Sequence, residues 1–129
     1  MVLVNATRKT VVSDQCRFAN SVLKRLVGLL NRKNFVTGEG LLFDRCYGIH
    51  TFGMRFPIDV VFLDREYKVI RTVPALPPLR TCAVRQAVYV LELPVGSIER
   101  SGTMEGDQIQ VRATSHETAA ELNVANSHA

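Results

Sequence analysis

The stretch at residues 49–64, IHTFGMRFPIDVVFLD, sets a histidine, an arginine and a carboxylate among side chains that otherwise read as core. Its second half most constrains the fold. Ile58, Val60, Val61, Phe62 and Leu63 make a strand that is apolar on both faces, so Asp59 loses water whichever face turns inward. A carboxylate held there needs partners. Unpaired, it would go neutral or cost roughly several kcal/mol in lost solvation.

Around this strand the chain alternates short extended runs with turns. Residues 2–12 read as a strand, a turn and a second strand; 41–43 and 47–51 read as further short strands. Gly53 and Pro57 force a bend at 52–57. Residues 58–63 and 68–73 form a hairpin about Asp64, Arg65, Glu66 and Tyr67. The proline-bearing segment 74–80 reads as a loop, because proline cannot enter a sheet interior. Strands follow at 87–93 and 108–112. Phe18, Val22, Leu26, Leu29 and Leu30 recur at three-to-four spacing, which predicts one main helix at about residues 16–30. The expected architecture is mainly β: an antiparallel sandwich or partly open barrel of about six to eight short strands with that helix packed against it. Residues 1–112 are expected to form a single globular domain and 113–129 a frayed or disordered polar tail.

Composition excludes several functional classes. No run of about 18 apolar residues spans a bilayer, and the start MVLVNATRKT does not read as a secretory signal, so a cytoplasmic location is expected. Cys16, Cys46 and Cys82 are an odd set without a CxxC pair, which argues against a disulfide framework and a structural zinc site. Up to Arg112 the chain carries 16 basic and 10 acidic residues, and 12 of the basic ones are arginines. That balance suits bidentate contacts with carboxylate or phosphate. The arginines are scattered singly, however, so no nucleic-acid partner is expected. No membrane contact is expected either, and the chain reads as a monomer or weak homo-oligomer.

The candidate site residues are His50, Met54, Arg55 and Asp59, with Arg25 and Glu92 as further partners. His50 and Asp59 flank the 52–57 bend, which brings them toward each other with Arg55 at the tip. In that pocket Arg55 would hold an anionic or polar ligand while His50 and Asp59 bind or exchange protons. The architectural reading has Asp59 accept backbone N–H groups of the bend, with His50 a satisfied neighbour. Glu92, inside VYVLELP, reads as an outward edge charge, or else as an inward partner for Arg25 or Arg55. Were Glu92 and Asp59 to converge, the pair would support acid–base hydrolysis. Cys46 and His50, four apart, would share a strand face, with Met54 after the turn; a buried cysteine beside a satisfied histidine is the favoured reading, and neither a metal nor a cofactor is expected. No serine lies in a GxSxG context and GEG at 38–40 lacks a phosphate loop's lysine, so no catalytic motif is recognisable.

Three segments together resemble a bacterial and archaeal family, domain of unknown function 192: RLVGLLNR at 25–32, GEGLLFDRCYGIHTFGMRFPIDVVFLD at 38–64, and YVLELPVGSIERSGTMEGDQI at 89–109. They follow the family's order and cover most of residues 20–112. Arg25, Gly28, His50, Met54, Asp59, Glu92, Pro94, Gly96, Gly106 and Asp107 stand at motif positions. The resemblance implies a small β-rich, sandwich-like domain and no established activity. It also implies that many relatives are exported, in contrast to the absence of a signal here. The function expected is a binding module for a small polar or anionic ligand or a peptide, through the His50, Met54, Arg55 and Asp59 cluster. The alternatives are a hydrolase or isomerase using Asp59 and His50 as acid and base, and a structural or interaction protein in which the cluster only stabilises the fold.

Overall fold

The computed structural model describes residues 1–19 and 34–114. Among them are ten strands: β1 (Val2–Asn5), β2 (Thr10–Ser13), β3 (Gln15–Ala19), β4 (Glu39–Asp44), β5 (Gly48–His50), β6 (Ile58–Leu63), β7 (Val69–Leu76), β8 (Thr81–Ala83), β9 (Tyr89–Pro94) and β10 (Ile109–Arg112). One short helix, α1 (Ser97–Ser101), follows β9. The strands form a five-stranded sheet in the order β3-β4-β9-β6-β7, a three-stranded sheet β10-β1-β2, and a β5-β8 ribbon, without a closed barrel. The protein is mostly β, as its spaced apolar runs and turns predict.

The strand IDVVFL is buried at every position because it lies inside the sheet, between β9 and β7, with a core on each side. Val61 and Leu63 join Leu91 and Leu93 of β9, Leu3 of β1 and Ile98 of α1 in one cluster. Val60 and Phe62 join Val90, Phe43 and Met54 in the other, against which Ile49 and Cys82 of the ribbon pack. The three-stranded sheet and α1 thus contribute to the first face's core, the ribbon to the second's. Full burial of each such aliphatic side chain contributes about 1.5–3 kcal/mol.

The helix expected at 16–30 does not begin where its periodicity placed it. Gln15–Ala19 is a strand paired in parallel with β4, Gln15 opposite Glu39 and Ala19 opposite Phe43. Gln15 and Arg17 are exposed while Cys16 is buried, a period of two that wins over the three-to-four spacing of more distant leucines. Residues 20–30 of that helix, with Arg25 and Gly28, lie outside the described residues, as does the tail from 115. The β3–β4 pair is parallel in a sheet whose other pairs are antiparallel, in keeping with the mostly antiparallel expectation. A second correction concerns the segment 74–80: β7 continues through Pro74 to Leu76. It can because β7 is an edge strand, where a missing N–H need not break the ladder.

Candidate functional site

Asp59 sits on β6 directly opposite Leu93 of β9, so it shares the face of the first core cluster. It is 1% exposed. Its Oδ1 accepts the N–H of Ala75 at 2.9 Å, and its Oδ2 accepts those of Gly96 at 3.1 Å and Ile98 at 2.9 Å. Three backbone donors thus supply the polar partners its sequence context demands. They come from β7 and from the start of α1, and not from the 52–57 bend foreseen by the architectural reading. Gly96 is the N-cap of α1 with a left-handed φ of 96°, a conformation open to glycine, and a glycine has no side chain to cap the helix. Asp59 does that work from another strand.

Glu92 lies opposite Val60 and Leu41, whose side chains belong with the second cluster. Directly paired residues share a face, so Glu92 and Asp59 occupy opposite faces of one sheet and cannot form a carboxylate pair. Glu92 is 7% exposed, which corrects the outward reading. Its strand is central, and a central strand in this sheet has no solvent side. Met54 is also buried and belongs to the second cluster. Met54 and Asp59 therefore face different cores, and the four-residue pocket expected from the sequence is not assembled.

His50 and Arg55 are exposed. His50 pairs with Thr81 across the ribbon and stacks on Phe52, ring centroids 5.3 Å apart and planes 27° apart. Below the stack, Thr51 is fully buried and ties the bend to the segment after β7. Its hydroxyl donates to the Pro77 carbonyl at 2.7 Å and accepts the Arg80 N–H at 2.9 Å; its own N–H donates to the Arg80 carbonyl at 2.9 Å. Its carbonyl accepts the N–H groups of Met54 at 3.2 Å and Leu79 at 3.3 Å. Thr51 thus brings Arg80 beside the His50–Phe52 stack. Neither Thr51 nor Arg80 stood out in the sequence; a threonine between a histidine and a phenylalanine carries no local signal of a contact with residues 77–80.

The segments that carry this stack and its neighbours are one-sided in charge. Residues 45–58 and 67–91 contain no Asp or Glu, whereas Arg55, Arg71, Arg80 and Arg85 within them are all exposed. Cys46 and His50 do not share a face, because β5 starts only at Gly48: Cys46 is buried with its Sγ donating to the Gly48 carbonyl at 3.1 Å. The described residues contain no group of three or more His, Cys, Asp or Glu side chains arranged to hold a metal ion. Burial pushes the Cys16 thiol up to about 12, so it stays protonated at neutral pH. The Tyr67 phenol is likewise raised by burial, and then by Tyr89, with which it stacks at 4.4 Å.

A second polar cluster went unnoticed in the sequence. Asn5 donates from Nδ2 to Asp107 Oδ2 at 2.9 Å and to Thr103 Oγ1 at 3.1 Å. Asp107 Oδ2 also accepts Arg8 Nε at 3.1 Å and the Met104 N–H at 3.0 Å. Burial alone would raise the Asp107 pKa, but the bonds from Asn5, Arg8 and Met104 outweigh it and hold the carboxyl below its ordinary value. An amide ending the otherwise apolar strand VLVN was the available signal.

The family model described as "Uncharacterized ACR, COG1430", domain of unknown function 192, matches residues 3–111. The chain belongs to this family. A UPF0127 protein of the same uncharacterised standing from Pyrococcus furiosus is 30% identical over 111 residues, covering 84% of this chain and 96% of that one. Among solved structures, a Novosphingobium aromaticivorans protein of unknown function superposes with a TM-score of 0.74 at 21% identity, covering 85% of this chain and 83% of that one. A Sinorhizobium meliloti protein, named for a suggested role in transcription regulation, gives a TM-score of 0.72 at 24% identity, covering 84% and 89%. At such identities these structures establish a shared fold and no shared ligand. No helix among the described residues is long and apolar enough to cross a membrane.

Proposed function

We propose that this family member is a binding module whose binding face is the β5–β8 ribbon and the loops at its end, and that it takes an anionic ligand or an acidic peptide. The observation that carries this reading is the exposed His50–Phe52 stack set among Arg55 and Arg80 on a surface whose segments, 45–58 and 67–91, hold no carboxylate. Guanidinium groups recognise carboxylate and phosphate oxygens in bidentate fashion, and an exposed ring face gives a planar or apolar group somewhere to rest. Of the residues expected to line the site, His50 and Arg55 serve this reading. Met54 supports the bend from inside and Asp59 holds α1 and β7 together.

A hydrolase or isomerase would need Asp59 and His50 at one reacting centre. The engagement of both Asp59 oxygens by backbone N–H groups lends that alternative no support. The test is an NMR titration with inorganic pyrophosphate and, separately, an oligoglutamate peptide. Shifts confined to His50, Phe52, Arg55, Arg80 and Thr81, abolished in Arg55→Glu/Arg80→Glu and retained in Asp59→Asn, are the expected result. Shifts that survive the charge reversal, or no shifts with either probe, overturn the reading.

A further inference from the structure

Residues 73–79, VPALPPL, contain no polar side chain, yet Pro74, Ala75, Pro77 and Leu79 are exposed. A run of this composition normally turns inward. Here the backbone holds it out. Ala75 and Leu79 both adopt left-handed conformations, φ 50° and 63°, which cost a non-glycine residue about 1 kcal/mol or more. Leu79 is 67% exposed, the highest value among the exposed large hydrophobic residues described, and Phe52 is 49% exposed.

Thr51 joins these two side chains into one tip. Phe52 follows Thr51 in the chain, and the Leu79 N–H donates to the Thr51 carbonyl while the Thr51 hydroxyl grips Pro77 and Arg80. Two apolar side chains therefore stand on adjacent loops with a fixed spacing. Arg55 and Arg80, both exposed, lie on the same loops.

We infer that this tip docks on an anionic lipid surface, with Phe52 and Leu79 entering the boundary of the acyl layer and Arg55 and Arg80 meeting headgroup phosphates and carboxylates. The inference rests on the binding face proposed above and names its partner. It departs from the expectation of no membrane contact, which followed from the lack of a spanning segment; binding at the interface needs none. An aliphatic side chain and prolines offer nothing to a small anion or to a stacked base. Side chains that protrude from loop tips need a soft layer, where a protein partner would need a shaped pocket for each. Charge complementarity completes the argument: anionic headgroups approaching segments 45–58 and 67–91 meet arginines and no carboxylate.

The test is cosedimentation of the full chain with phosphatidylserine-containing vesicles and with pure phosphatidylcholine vesicles. Binding to the first and not the second is expected, weakened about fivefold for each of Arg55 and Arg80 replaced by glutamine. Leu79→Ser should abolish sedimentation and leave the pyrophosphate response of His50 intact. Leu79→Gly keeps the left-handed backbone accessible and removes only the side chain, so its weakened binding would not reflect a failure to fold. Sedimentation unchanged by these variants overturns the inference. A chain that binds pyrophosphate or oligoglutamate but neither vesicle overturns it too, and leaves the binding face standing; so does preference for an oligothymidine or the peptide over the vesicles. Failure to bind any of these probes removes both proposals.

Discussion

Asp59 and His50 lie nine positions apart in the chain, and the molecule treats them in opposite ways. Asp59 is closed off beneath α1, every partner a backbone N–H, whereas His50 lies open on a ribbon of three-residue strands with a phenylalanine against its ring. A polar residue amid core-like sequence is therefore no guide to a site by itself. What separates the two is the supply of donors. Asp59 meets three N–H groups that the end of β7 and the turn into α1 would otherwise leave without acceptors, so its charge is consumed by the fold. Around His50 the backbone is already paired through the β5–β8 register, and the side chains of His50 and its partner Thr81 are left exposed.

The contrast predicts a graded series of effects. Asp59→Ala strands three backbone N–H groups inside the protein and should cost about 3 kcal/mol or more, read as a drop in the urea midpoint; a loss below about 1 kcal/mol would break the comparison at its strongest point. Thr51→Val keeps shape and removes a buried hydroxyl that bonds Pro77 and Arg80, so about 1–2 kcal/mol should be lost, along with the fixed spacing of Phe52 and Leu79. Chemical shifts of Leu79 that stay at wild-type values would show that the tip does not depend on this tie.

Asp107→Asn should cost about 1 kcal/mol at pH 7 through loss of charge-assisted bonds from Asn5 and Arg8. Its pH dependence has a defined sign. The folded pKa lies below the ordinary aspartate value near 3.9, so the stabilisation is present above that pH and is lost as pH falls through the lower folded value. The difference in Tm between wild type and variant should shrink below about pH 4; a gap that widens would refute the assignment. Smallest of all, Phe52→Ser/Leu79→Ser should change stability by no more than about 0.5 kcal/mol, since both side chains are exposed. A large loss would mean the tip belongs to the core after all.

The strands were legible wherever apolar residues alternate or run unbroken between turns, as at β1, β2, β6 and β9. Three elements were not. β3 was hidden by the leucines after it, whose helical spacing overrode the two-residue alternation of Gln15, Cys16, Arg17 and Phe18. β8 is three residues long and exists because β5 offers it an edge, and α1 is five residues held by an aspartate from β6. Neither leaves a local pattern long enough to read. For the candidate site, the sequence showed that Asp59 needed partners and left open which; they lie 16, 37 and 39 positions away, beyond any periodicity. The face of Glu92 was misjudged because alternation fixes which residues share a side, and says nothing about whether that side is wet.

Those same separations bear on how the protein folds and how long it stays folded. The carboxylate of Asp59 meets its donors only after β7 has turned back along β6 and β9 has delivered Gly96 and Ile98, so its bonds close late, once the loop entropy has been spent elsewhere. Late bonds have low φ-values, and removing them steepens escape from the native state far more than it delays arrival. In a chevron plot, Asp59→Asn would lift the unfolding arm and leave the folding arm nearly where it was. On that outcome the residue would govern the lifetime of the folded protein more than its rate of folding.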